Sequence, residues 1–166
     1  MGLSGAKWLT VPFAYFSIMT TPSSIIYAGT FERAIDAKHR VTIPAAWLGK
    51  GNNEFHAIPN PVGECLIVMP PAEFNEIEAR IQQSSATPAE RRKAIRQFYS
   101  QARSVTADSH GRILFSDEQC SALKLTGNIV LVGGRSRFEI WNVKQWAAVA
   151  EEEHTSFHKV ANLIGL

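Results

Sequence analysis

Two stretches decide the reading of this chain: DAKHRVTIP at residues 36–44 and DSHGRILFS at residues 108–116. They lie 72 residues apart, and a gapless slide by that distance aligns more than the motif. Asp36 falls on Asp108, Arg40 on Arg112, Val41 on Ile113 and Ile43 on Phe115. Farther along, Ile58 meets Val130, Leu66 meets Phe138, Val68 meets Ile140, Phe74 meets Trp146 and Ile77 meets Val149. Few residues are identical, yet the apolar pattern stays in register for over forty positions. A pattern that repeats at fixed spacing marks a duplicated supersecondary unit.

Each copy has the same grammar. A strand (residues 29–35 and 100–107) leads into a tight polar turn, then a second strand with period-two alternation. Pro44 and Ser116-Asp117 start short helical segments. Two more strands follow, near residues 54–58 with 65–69 and near 128–132 with 138–141. A helix closes each unit: Phe74, Ile77 and Ile81 form one face after Pro70-Pro71, and Trp146, Val149 and Ala150 form the other.

The turn itself has a physical logic. Asp36 and Asp108 open it, because a carboxylate accepts backbone N–H bonds two or more residues on. Gly111 supplies a positive φ without a Cβ clash. His39 occupies that place in the first copy, and histidine tolerates it better than most residues. Alternation turns Val41 and Ile43 inward, so Lys38, Arg40 and Thr42 face outward, as do His110 and Arg112 in the second copy. One reading is that Asp36–Arg40 and Asp108–Arg112 only lock the turns. An exposed pair of that kind contributes under about 1 kcal/mol. The other is that the arginine forks meet DNA, at guanine edges or phosphate. Both can hold, with the aspartate orienting the arginine.

Between the units, Thr87-Pro88-Ala89-Glu90 is a capping box that opens a linking helix. Residues 81–103 carry a net charge of +4, against −2 for residues 28–80 and −1 for residues 104–166. The excess comes from Arg91, Arg92, Lys93, Arg96 and Arg103. A solvated helix face explains such a run, and phosphate contact is the functional alternative.

Composition bounds the rest. The 166 residues are 45% apolar and 19% charged, with a net charge of +2. That allows a packed core and excludes a histone-like polybasic chain, so any nucleic-acid role needs locally concentrated charge. Cys65 and Cys120 form neither a disulfide framework nor a cysteine-only zinc site, which fits a reducing, cytoplasmic setting. The apolar stretch 8–19 is too short to span a bilayer. After Lys7 it imitates a signal peptide, but no small-x-small cleavage site follows. Met19 is an alternative start, which would make residues 1–18 an upstream extension.

Taken together, the motifs resemble the MraZ family of bacterial transcriptional regulators, within the swapped-hairpin, AbrB-like superfamily. The family pattern is two units, each with an Asp-x-x-Gly-Arg turn running into an apolar-x-Ile-Pro-like strand. The helix start PAERR (88–92) and the residues VG (132–133) and FEIW (138–141) match as well. Coverage runs from about Ala28 to about Glu153. The resemblance implies a mainly β fold with flanking helices. Its two tandem swapped-hairpin units would form one pseudo-symmetric, double-split β-barrel domain. It implies ring-shaped homo-oligomers that bind double-stranded DNA at short, G-containing direct repeats. Those repeats would lie upstream of a division and cell-wall gene cluster, with repression of the protein's own operon, in the cytoplasm at the nucleoid.

On that reading the DNA-binding residues are Lys38, His39, Arg40, His110 and Arg112. Asp36, Asp108 and Gly111 stabilise the turns, and Arg91, Arg92, Lys93 and Arg96 are secondary phosphate candidates. Two departures stand out: His39 replaces the family glycine, and Ser116 replaces the second proline. The first bears on DNA preference, the second on whether the second hairpin is only structural.

The expected division is an extension at 1–27, disordered; a first unit at 28–82; the linking helix at 83–99; a second unit at 100–154; and a tail at 155–166. The competing function is a ring-forming interaction protein whose linking helix meets an acidic protein. A superfamily antitoxin normally has one unit and a long tail, unlike this chain. No nucleophile–base pair, carboxylate pair, metal set or cofactor motif is visible, so an enzyme is not expected. His154 and His158 have ligand spacing but no third partner. Trp47, Trp141 and Trp146 fall on core or interface positions, and the glycine-rich segment at 133–137 reads as a hairpin turn.

Overall fold

A computed structural model describes residues 25–166. Apart from its last three residues, the expected N-terminal extension lies outside the described residues. Those three belong to the fold. Tyr27 is only 3% exposed, and its N–H and C=O form a bridge to Arg135 at 2.9 Å each way. The close approach explains Gly133: a Cβ there would sit 2.6 Å from the Tyr27 carbonyl oxygen.

The first unit contains β1 (Thr30–Ile35), β2 (Arg40–Thr42), a 3-10 turn (Ala45–Trp47), β3 (Glu54–Pro59), β4 (Cys65–Met69) and α1 (Pro71–Gln83). Then comes α2 (Pro88–Gln101). The second unit contains β5 (Arg103–Thr106), β6 (Arg112–Leu114), α3 (Asp117–Ala122), β7 (Gly127–Gly133), β8 (Phe138–Asn142) and α4 (Val143–Ile164). Every element of the first unit has its counterpart about 72 residues later, and α2 has none. The capping box forms as expected. The Thr87 hydroxyl accepts from the Glu90 N–H, and the Glu90 carboxylate accepts from the Thr87 N–H.

Pairing weaves the two units together. Six strands form an antiparallel sheet in the order β1-β7-β8-β4-β3-β5, and β2 pairs with β6 as a separate antiparallel ribbon. The opening strand of each unit thus pairs with the third strand of the other. The register keeps a pseudo-twofold symmetry. Val41 lies opposite its own equivalent Ile113, while Leu66 opposes Ile140 and Val68 opposes Phe138. The sheet stays open at β1 and β5, so the closed barrel of the expectation is replaced by a mixed α/β layered fold.

Alternation then builds two cores. On one face Phe55, Leu66, Val68, Ile129, Leu131, Phe138 and Ile140 pack against Val41, Ile43, Trp47, Ile113 and Phe115. Trp47 is 1% exposed, stands edge-on to Tyr27 and Phe31, and donates its indole N–H to the Ala28 carbonyl at 3.1 Å. On the other face Ile58, Cys65, Ile67, Met69, Val130 and Trp141 meet Phe74, Phe98 and Trp146 from the helices. The molecule is therefore three layers: the β2–β6 ribbon, the six-stranded sheet, and the helices α1, α2 and α4.

Two boundaries differ from the sequence reading. Residues 100–101, expected to start a strand, complete α2. The expected tail at 155–166 is helical as far as Ile164 and ends in a Gly165 cap with φ 75°. The polar Glu151–His154 run hides this continuity, but a helix carries polar residues wherever one face meets water.

Candidate nucleic-acid interface

The two turns are copies at the level of single hydrogen bonds. In the first, Asp36 Oδ1 accepts the N–H groups of Lys38 and Arg40, both at 2.9 Å. In the second, Asp108 Oδ1 accepts those of His110 at 2.8 Å and Arg112 at 2.9 Å. The second carboxylate oxygen takes the arginine Nε: Arg40 on Asp36 at 2.7 Å, and Arg112 on Asp108 at 2.9 Å. The arginine N–H bonds, first among the causes, hold both carboxyls below the usual carboxylate range.

The tips are joined across the pseudo-twofold. Ile43 N–H donates to the Gly111 carbonyl and Phe115 N–H to the His39 carbonyl, each at 2.9 Å. Both accepting residues are left-handed, with φ 59° at His39 and 72° at Gly111. Histidine in place of glycine thus keeps the same tip backbone. Its side chain adds a contact that glycine lacks: His39 Nδ1 lies 2.6 Å from Asp117 Oδ1, at the start of α3. Ser116, in place of proline, caps α3 by accepting from the Gln119 N–H at 3.2 Å. The helix start survives by a different means: the Ser116 hydroxyl accepts a backbone N–H, whereas Pro44 only fixes the backbone and makes no side-chain cap bond.

With Val41 and Ile113 fully buried, the ribbon's outward face is Arg40, Thr42, Arg112 and Leu114. Arg40 pairs with Leu114 across the strands, and Thr42 with Arg112. Each arginine side chain is about one-third exposed, fixed at Nε. Among the described residues neither has a partner at its Nη atoms. Lys38 and His110 are exposed just before the arginines. The result is a two-stranded ribbon with two braced guanidiniums, Lys38 and His110 beside them, and Thr42 and the exposed Leu114 each across from an arginine.

The structure does not bring α2 to this face. Arg92, Lys93 and Arg96 are exposed on the helical layer, across the sheet from the ribbon. Arg91 is spent differently: its Nη1 donates to the Gln82 carbonyl at 2.6 Å and ties α2 to the end of α1.

Three contributors escaped sequence reading. Asp117 looked like a helix-start residue, and its link to His39 spans 78 positions. Leu114, 58% exposed, is an outward apolar residue visible in the alternation. Gln119 is buried, and its amide N–H groups bond the Ala57 and Gln101 carbonyls, pinning α3 to β3 and to the end of α2. Elsewhere, burial pushes the Cys65 thiol up to about 12 and Cys120 to about 11, so both act as inert core residues. His56 stacks on Phe74 at 4.0 Å.

Fold and surface define a duplicated β-hairpin protein that presents a basic ribbon. Comparison with known proteins agrees with that class. A family model described as "MraZ protein, putative antitoxin-like" matches twice, over residues 26–96 and 98–166. Transcriptional regulator MraZ of Desulforamulus reducens is 30% identical over 142 residues, covering 85% of this chain and 99% of the relative. The protein of that name from Symbiobacterium thermophilum is 32% identical over 137 residues, covering 82% and 99%. That from Syntrophobacter fumaroxidans is 31% identical over 136 residues, covering 81% and 91%. The chain belongs to the MraZ family. Among the described residues no helix is long and apolar enough to cross a membrane.

Proposed function

We propose that this chain regulates transcription by binding double-stranded DNA, and that the β2–β6 ribbon is its reading head. The observation that carries this is the pair of arginines braced by aspartates on one outward face. The major groove is about 12 Å wide and admits a two-stranded ribbon. A guanidinium held at Nε keeps its Nη groups for guanine O6 and N7 or for phosphate. Lys38 and His110 flank the ribbon where a phosphate backbone would run. Thr42 and Leu114 offer methyl groups suited to thymine. The relatives' shared name, transcriptional regulator, supports the same conclusion.

The finer reading follows the family resemblance. The sites are short, G-containing direct repeats upstream of a division and cell-wall gene cluster, and the protein represses its own operon. Swapped hairpins in a ring of copies face those repeats. The modest net charge of +2 then suffices, because several weak contacts on one assembly gain by effective concentration. Arg92, Lys93 and Arg96 lie across the sheet from the ribbon, which favours an acidic protein partner for that helix.

Fluorescence anisotropy with the full chain tests the reading. A duplex from upstream of its own gene is compared with a shuffled duplex at two salt concentrations. Tighter binding of the native duplex that persists at the higher salt is expected. Equal binding that vanishes with salt would leave only nonspecific electrostatics and refute it. Arg40→Ala and Arg112→Ala are each expected to cost about 1–3 kcal/mol of discrimination.

A further inference from the structure

The linking helix α2 breaks the pseudo-symmetry and, with α1, walls a groove over β3 and β4. Ile58, Ile67, Ile77, Ile81, Ala94 and Phe98 enclose about 480 Å³ there. Small-molecule sites usually hold about 300–1,000 Å³ and are apolar with a few charged groups at fixed places. Two ties hold the helices around this space. Near the start of α2, Arg91 Nη1 donates to the Gln82 carbonyl at the end of α1, at 2.6 Å. Farther on, Phe98 stacks on Phe74 at 4.7 Å and the Tyr99 hydroxyl donates to the Glu78 carboxylate.

Shape and charge share one direction. The apolar walls continue along α2 into an adjoining space bordered by Gln97 and Gln101. From Arg91 to Gln101 the helix rises about 15 Å, so the groove is elongated. Arginines border only its first end, and none lies beside Gln97 and Gln101. Of those at the first end, Arg80 is held by Glu73 at 2.7 Å. Arg91 and Arg137 are half-buried and have no carboxylate partner among the described residues. Glu139, two residues on from Arg137, accepts the Trp141 indole N–H at 2.9 Å and does not border the groove. Half-buried guanidiniums without a counter-charge, set against an apolar wall, favour an anion between them.

We infer that the groove binds a linear aliphatic carboxylate, with its chain along α2 and its head on Arg91 and Arg137. A guanidinium and a carboxylate match in plane and spacing, so paired N–H···O bonds fix the head. The chain adds affinity by leaving water, up to about fourfold for each methylene buried. The site belongs to the helical layer, across the sheet from the ribbon, and does not rest on the DNA reading.

Isothermal titration calorimetry on the full chain, without DNA, is the test, with dodecanoate below its micelle concentration as the probe. Saturable binding of one dodecanoate per chain is expected, with octanoate weaker and butanoate undetectable. Dodecanol has the same chain without the charge and should bind about tenfold more weakly, since hydrogen bonds to a charged group are worth at least that factor. Arg91→Gln with Arg137→Gln should weaken dodecanoate by about the same factor and leave dodecanol unchanged. A distorted groove would weaken both. Ala94→Trp fills the groove from an exposed helix position and should abolish binding of both, with wild-type circular dichroism. Arg92→Ala with Arg96→Ala removes charge from α2 outside the groove and should bind dodecanoate as the wild type does. A wild type without saturable binding would overturn the inference, and is the result expected if residues 1–24 or another copy of the chain fill the groove. Equal affinity for dodecanoate and dodecanol, or an Ala94→Trp chain that binds like the wild type, would overturn it as well.

Discussion

Asp36 and Asp108 each hold two backbone N–H groups and one arginine Nε, and their ionised state matters for all three. Their folded pKa values are depressed, so they stabilise the fold above the unfolded carboxylate range, near pH 4. That contribution fades as pH falls through the lower folded values. Thermal melts from pH 6 down to pH 2 should therefore show stability falling below about pH 4. The double variant Asp36→Asn with Asp108→Asn should start less stable and show a shallower acid slope. An unchanged slope would mean that other carboxylates govern acid unfolding. Gly111 makes the complementary case. A Cβ at φ 72° would be strained and would come within 3.0 Å of Leu48 Cδ1. Gly111→Ala should cost about 1–2 kcal/mol, seen as a drop in Tm. His39→Gly should leave the backbone intact and remove only the link to Asp117, a change within about 1 kcal/mol. The turn chemistry was legible because it is local: aspartate first, a positive φ fourth, arginine fifth. The His39–Asp117 contact was not, because the tertiary fold alone makes those residues neighbours.

Among the elements, the strands were legible within about three residues and the capping box marked the first turn of α2, because alternation and capping are short-range codes, although the linking helix expected at 83–99 runs over Pro88–Gln101. Which strand pairs with which was not. The exchange of β1 and β5 between the units depends on contacts about a hundred residues apart in the case of β1 with β7, and no local pattern encodes it. The length of α4 was missed for another reason. The acidic run Glu151–Glu153 interrupts the apolar periodicity, which resumes at i, i+3 and i+7 with Phe157, Val160 and Ile164. Trp47 tests how tightly ribbon and sheet are joined. It is buried in the first core and bonds Ala28. Trp47→Ala should cost about 3–5 kcal/mol in denaturant unfolding. A loss below about 1 kcal/mol would show that the 3-10 turn is not part of the main cooperative unit. At α2, Thr87→Ala should cost about 1 kcal/mol, because it removes one half of the capping box.

For the whole molecule, the three layers separate two kinds of work. The ribbon faces one way with its braced arginines, and the helices face the other with the basic surface of α2. The sheet between them ties both units into one body, so the hairpins keep a fixed spacing set by the cross-bonds at His39 and Gly111. An assembly of such bodies should prefer repeated sites. A duplex with several repeats should bind far more tightly than one with a single repeat, and equal affinity would rule out avidity. The account rests on the ribbon being the surface that meets DNA. The most direct measurement compares three proteins on the duplex from upstream of the gene: the wild type, Arg40→Ala with Arg112→Ala, and Arg92→Ala with Arg96→Ala. The account predicts that the ribbon pair abolishes preference for the native over the shuffled duplex, while the helix pair keeps it within about twofold, given that base contacts specify and phosphate contacts only position. Preference retained by the ribbon pair and lost in the helix pair would contradict it.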